Sequence, residues 1–154
     1  MLGATYINTF TPFHPFGGKP AVCLTDNTPI EKPARILMLG CGDLRNVLFT
    51  AHSDGAGRHL DFTLCDMEVA IIARNIILFT LIIDDAAGNH HDANWTIFYH
   101  QYLSAKDHAR LVAQAKKLHG FAASWNSWQT SQYGKLIRYC DRTTLTKVDE
   151  VWQF

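Results

Sequence analysis

The chain has 154 residues, 47% hydrophobic and 18% charged, enough apolar material for one domain with a buried core and too much for a disordered tail. Basic and acidic residues balance at 14 each and no Lys/Arg cluster exceeds two, so nothing favours nucleic acid or an anionic membrane as a partner. The four cysteines, Cys23, Cys41, Cys65 and Cys140, are widely spaced and form no C-x-x-C pair. That spacing argues against a zinc module or a disulfide framework and for a reducing, cytoplasmic setting.

In chain order, residues 1–34 are punctuated by Pro12, Pro15, Gly17, Gly18, Pro20, Pro29 and Pro33 and read as an extended arm, with a short strand at Ala21–Leu24. Met1–Phe10 lacks the basic and apolar regions of a signal peptide. Ile36–Leu39 is a continuous apolar run, as expected of a strand covered on both faces. A glycine turn follows, with Asp43 as the N-cap of a helix that starts at Leu44 and carries Leu44, Val47, Leu48 and Ala51 at helical spacing. Gly55 and Gly57 break that helix, and His59–Cys65 reads as a second strand, parallel to the first.

Val69–Ile83 is apolar nearly all round and predicts a central buried helix, too short and too polar at Arg74 and Asn75 to span a membrane. Arg74 is expected to reach the surface or to pair with an acid. Trp95–Leu103 reads as an aromatic helix, with Trp95, Phe98, Tyr99 and Tyr102 as a core-facing stripe. Ser104 to Asp107 resembles a capping box with Asp in place of Glu, and it opens a helix striped by Leu111, Val112, Ala115 and Leu118 that stops at Gly120. Phe121–Tyr133 carries two tryptophans among polar residues, Lys135–Cys140 is ambiguous, and Thr144–Phe154 reads as a final helix. So apolar a central helix implies an exposed apolar patch where further strands or a partner would pack.

The order strand, Gly40-Cys41-Gly42-Asp43, helix builds phosphate or nucleoside sites in Rossmann-like folds. Glycines let backbone approach a ligand, and the helix N-terminus favours negative charge. Asp66 ends the second strand 24 residues after Gly42, where an acid accepts hydrogen bonds from ribose hydroxyls, and Glu68 follows it. Two plainer roles stand beside these: a tight turn that binds nothing, and acids that favour the first turn of the next helix. His90-His91-Asp92 is a loop-like segment whose adjacent residues suit a metal ion poorly. No nucleophile stands beside a base in sequence, and no third or fourth parallel strand follows Ile83.

The glycine turn resembles the first motif of S-adenosylmethionine-dependent methyltransferases, with Leu44 at the third glycine-type position. More specifically, Pro20–Thr25, Ile36–Thr50 and Leu60–Glu68 followed by Ala73-Arg74-Asn75 resemble the domain of unknown function 4470. The similarity runs from about Pro15 to the chain end, where Tyr133-Gly134 to Trp152 also fits. That domain occurs in fungal proteins that often carry a MYND-type zinc finger, and it is similar to the N-terminal part of dynein axonemal assembly factor 3. The closely spaced cysteines of a MYND finger are absent from this sequence.

These readings define an α/β chain: an arm at 1–34, then a methyltransferase-like, incomplete Rossmann-like domain over 35–154, helix-rich after residue 69 and part of a longer protein. The expected function is a noncatalytic interaction or assembly module that binds a protein partner or the remainder of its own chain, without cofactor, metal, nucleic acid or membrane. The alternative is a methyltransferase domain lacking its C-terminal strands, with S-adenosylmethionine held by Gly40, Cys41, Gly42, Asp43, Asp66 and Glu68. The two readings part at the cleft over Gly40–Asp43, which the enzyme needs open with Asp66 facing it.

Overall fold

The structure, a computed structural model, describes residues 19–85, 87–100 and 102–153. Most of the expected N-terminal arm, including Met1–Phe10 and Pro15, lies outside the described residues. The elements are β1 (Ala34–Leu39), α1 (Arg45–Asp54), a 3-10 turn at Gly55–Gly57, β2 (Leu60–Cys65), α2 (Val69–Asp84), α3 (His91–Tyr99), α4 (Ala105–Ala122), α5 (Trp125–Thr130) and α6 (Arg142–Val151). The fold is mixed α/β. β1 and β2 pair in parallel, from Ala34 opposite Leu60 to Leu39 opposite Cys65, and they form a two-stranded sheet among the described residues.

Pairing in register places Ile36, Met38, Phe62 and Leu64 on one face and Leu37, Leu39, Thr63 and Cys65 on the other. The first face packs against Leu44, Val47, Leu78, Phe98 and Tyr99. The second is bare among the described residues: Leu37 is 62% exposed and Leu39 75%, with Met67 just beyond β2 at 99%. The expectation of a strand covered on both faces is therefore corrected, and the exposed apolar patch is present. Apolar runs without alternation do not reveal how many layers cover them.

Ala21–Leu24 is not a strand. It straps along α1 through side chains spaced one turn apart on that helix. Val22 N–H donates to Asn46 Oδ1 (3.1 Å), Leu24 N–H to Thr50 Oγ1 (2.9 Å), and Thr25 Oγ1–H to Asp54 Oδ2 (2.8 Å). The buried Arg58 anchors the following turn by donating from Nη2 to Thr28 C=O at 2.7 Å.

α2 is the spine of the molecule. Its Leu78 belongs to the sheet-side core, and its Ala73, Ile76, Ile77 and Leu81 belong to a second core made with Ala115, Leu118, Trp128, Tyr133, Leu145, Val148 and Trp152. Serving two cores explains why the helix is apolar nearly all round. Ala73 lets α6 approach closely, and Trp152 Nε1–H donates to its carbonyl at 3.2 Å.

The helix boundaries correct four further expectations. The aromatic helix spans His91–Tyr99, so its stripe splits: Phe98 and Tyr99 are buried while Trp95 and Tyr102 are exposed. α4 passes Gly120 and ends at Ala122, because a glycine inside a packed helix costs only about 1 kcal/mol and does not terminate it. α6 begins at Arg142, capped by Asp141, whose Oδ1 accepts from Thr144 N–H at 2.7 Å. The N-cap of α1 is Leu44, not Asp43. Ser104 does cap α4, accepting from Asp107 N–H at 3.1 Å and donating its hydroxyl to Asp107 Oδ2 at 2.6 Å.

Candidate functional site

The turn between β1 and α1 depends on two left-handed glycines, Gly40 at φ 66° and Gly42 at φ 55°. A Cβ at either position would meet nothing within 4 Å, so dihedral angle rather than crowding requires glycine, and the space beside them is open among the described residues. Two side chains from other elements hold the turn. Asp66 Oδ2 accepts from Gly42 N–H at 3.0 Å, and the buried Asn75 of α2 donates from Nδ2 to Gly42 C=O at 2.7 Å. The other Asp66 oxygen accepts from Glu68 N–H at 3.1 Å. The Cys41 thiol also approaches Asp66 Oδ2, at 3.9 Å, and a carboxylate has about four lone-pair positions, so Asp66 keeps acceptor capacity beyond these three contacts.

Cys41 is buried beneath the turn. Burial, then the nearby Asp66 charge, pushes its thiol up to about 11, which favours the protonated form at neutral pH. Glu68 is exposed at the N-cap position of α2, and its side chain makes no capping bond. Of the six residues singled out by sequence, the structure thus joins Gly42 to Asp66 through a hydrogen bond, with Cys41 below and Gly40 beside. Glu68 touches the group only through its backbone.

Asp43 belongs to a different cluster. Its carboxylate accepts from Arg45 N–H at 2.9 Å and from Arg45 Nε at 2.9 and 3.0 Å, which turns it away from the capping position. Arg74 of α2 feels the same carboxylate: burial lowers its affinity for a proton and Asp43 opposes that shift. Its guanidinium carbon stands 4.4 Å from the Phe98 ring centroid. Tyr99 is pushed up to about 12, by burial and then by Asp43. The expectation that Arg74 would pair with an acid found the cation; that α1, α2 and α3 converge on Asp43 was not visible in sequence.

Sequence reading also missed Asn75, whose polarity inside an apolar helix was the available signal. It missed Asp84 as well, at the other end of α2. This carboxylate accepts from Tyr133 Oη–H (2.6 Å), Lys117 Nζ (2.9 Å), Gln132 Nε2 (2.9 Å) and Gln114 Nε2 (3.2 Å), tying α2, α4 and the segment after α5. His90 and His91 stand at the start of α3, in a turn where the Asp85 carboxylate accepts from the N–H groups of Asn89 and His90. No group of three or more His, Cys, Asp or Glu side chains suited to a metal ion occurs among the described residues. No helix among them is long and apolar enough to cross a membrane.

The architecture is that of an α/β protein with a glycine strand-to-helix turn closed by an acid from the next strand. Residues 15–103 match the family described as Domain of unknown function (DUF4470), and the chain belongs to that family. The match takes in both strands and α1 to α3 and stops before α4, short of the chain end to which the resemblance was expected to run. No curated protein and no solved structure matches the chain.

Proposed function

We propose that the chain is a noncatalytic, methyltransferase-like interaction or assembly module in which the glycine turn survives as structure. The observation that carries this reading is the internal satisfaction of the turn. Gly42 N–H is bonded to Asp66 and Gly42 C=O to Asn75, so groups that a nucleoside site would leave for ligand serve the fold instead. The bare sheet face at Leu37 and Leu39 supplies an apolar surface of the kind that meets a protein partner or a further part of the same chain. The resemblance to MYND-associated fungal proteins and to the N-terminal part of dynein axonemal assembly factor 3 fits an assembly role. A cytoplasmic setting accords with free thiols at Cys23, Cys41, Cys65 and Cys140.

A second reading, a domain that binds S-adenosylmethionine on Gly40, Gly42 and Asp66, draws on the open space beside the two glycines. Calorimetric titration with S-adenosylmethionine and S-adenosylhomocysteine separates the two. The module reading expects no saturable heat up to roughly millimolar ligand, the scale of about 4 kcal/mol of binding free energy. Saturable binding that is lost in Asp66→Ala overturns it in favour of the enzyme.

A further inference from the structure

The sheet face left bare among the described residues carries charge as well as leucine. Arg35, Leu37 and Leu39 stand on it from β1, in register with Asp61, Thr63 and Cys65 of β2. All are exposed except Asp61, which is partly so. Arg35 makes no ion pair among the described residues. Asp61 has a loose one, its Oδ1 lying 3.5 Å from Nη2 of the exposed Arg138. A carboxylate has about four acceptor positions, so that contact leaves room for a second cation. One end of the face is thus a cation and an anion side by side, and the other end is apolar.

This pattern is complementary to itself. A two-fold axis parallel to the strands, midway between two such faces, keeps height along the strand and exchanges β1 with β2. Arg35 of each copy then meets Asp61 of the other, at two symmetric places. Leu37 and Leu39 of each copy lie over Thr63 and Cys65 of the other. Aligned sheets pack about 10 Å apart, a gap that leucine side chains fill and an arginine–aspartate pair spans. An axis across the strands instead sets Arg35 against the leucine end, with no opposite charge to meet it. A partner of different sequence would have to supply the matching charges, whereas a second copy already carries them.

We propose, building on the interaction-module reading, that this face binds a second copy of the same chain. Contact through Leu37 and Leu39 supplies the attraction, and two Arg35–Asp61 pairs fix the arrangement. Two strands of six residues offer a patch of roughly 20 by 10 Å. That is smaller than a standard interface of about 800 Å² per partner, so the dimer is weak, half-formed near roughly 100 µM.

Sedimentation equilibrium of the whole chain over about 5 to 500 µM is the test. Wild type is expected to pass from one copy towards two across that range. Arg35→Asp and Asp61→Arg each set like charges together at both places, and each should weaken association about tenfold or more. An equimolar mixture of the two variants restores opposite charges at both places, so it should associate within about threefold of wild type. A purely apolar contact gives no such rescue. Circular dichroism reports whether each variant folds. If a reversal variant does not, Leu39→Lys decides: a charge placed in the apolar end should leave the chain monomeric throughout. A wild-type chain that stays monomeric, as when another part of the chain covers the face, overturns the dimer. So do reversal variants that associate as wild type does, a mixture no better than its components, or dimerisation of Leu39→Lys. Titration with S-adenosylmethionine judges the module reading separately, so failure of the dimer and failure of that reading are told apart.

Discussion

Gly42 shows how a single residue can be read correctly and still mislead. Its neighbours in sequence point to a left-handed turn, and the turn is there at φ 55°. What occupies its N–H and C=O depends on Asp66 and Asn75, 24 and 33 residues away, and no local pattern encodes those partners. Asp43 fails as a cap for a related reason: the adjacent Arg45 offers it both a backbone and a guanidinium donor. Asp84 carries a prediction at this scale. Burial pulls its carboxyl upward, but hydrogen bonds from Tyr133, Lys117 and Gln114 outweigh burial and hold it below its ordinary 3.8. A carboxyl depressed on folding contributes stability above its unfolded value and loses it as pH falls through the folded one. Asp84→Ala should therefore cost about 1–3 kcal/mol at neutral pH, leaving partly buried donors unpaired, and the cost should shrink below about pH 4. Urea midpoints of wild type and variant at pH 7 and pH 3 check both the sign and the window.

Among the elements, α2 was legible because its length and near-continuous apolarity leave no other structure for it. Its double duty was not, since periodicity reports how much of a helix is covered and not by what. Ile76→Ala and Leu78→Ala probe the helical core and the sheet-side core respectively, both sites being almost fully buried. Each should lose about 2–5 kcal/mol, measured as a shift in denaturant midpoint with an unchanged slope. A shift in one variant alone would separate the two cores into independent units. α1 taught a complementary lesson. Its apolar spacing predicted the helix, yet Asn46, Thr50 and Asp54 recur every fourth residue on a polar stripe that grips the preceding segment. In sequence such a stripe is indistinguishable from a solvated face.

At the scale of the molecule, helices are packed around one spine, while among the described residues the sheet is covered on a single side. If the bare face packs against nothing within the chain, Leu37→Thr and Leu39→Thr should each move stability by no more than about 0.5 kcal/mol, despite lying in a central apolar run. Threonine is itself well suited to a strand, so a loss of stability would report lost packing rather than lost strand propensity. Sedimentation velocity on the same variants should show less self-association than wild type if the exposed leucines meet a surface in solution. A stability loss of several kcal/mol would show that the face is covered.

The sequence by itself determined the parallel pair of strands, the glycine turn and the central helix. Each follows from interactions over a few residues: apolar periodicity, left-handed glycine, and short connections. Tertiary structure decided which face of β1 is covered, which groups Asp43, Asp66 and Asn75 serve, and how four donors meet on Asp84. Those outcomes depend on contacts between segments far apart in the chain, whose energies are set by burial and geometry that residue order alone does not reveal.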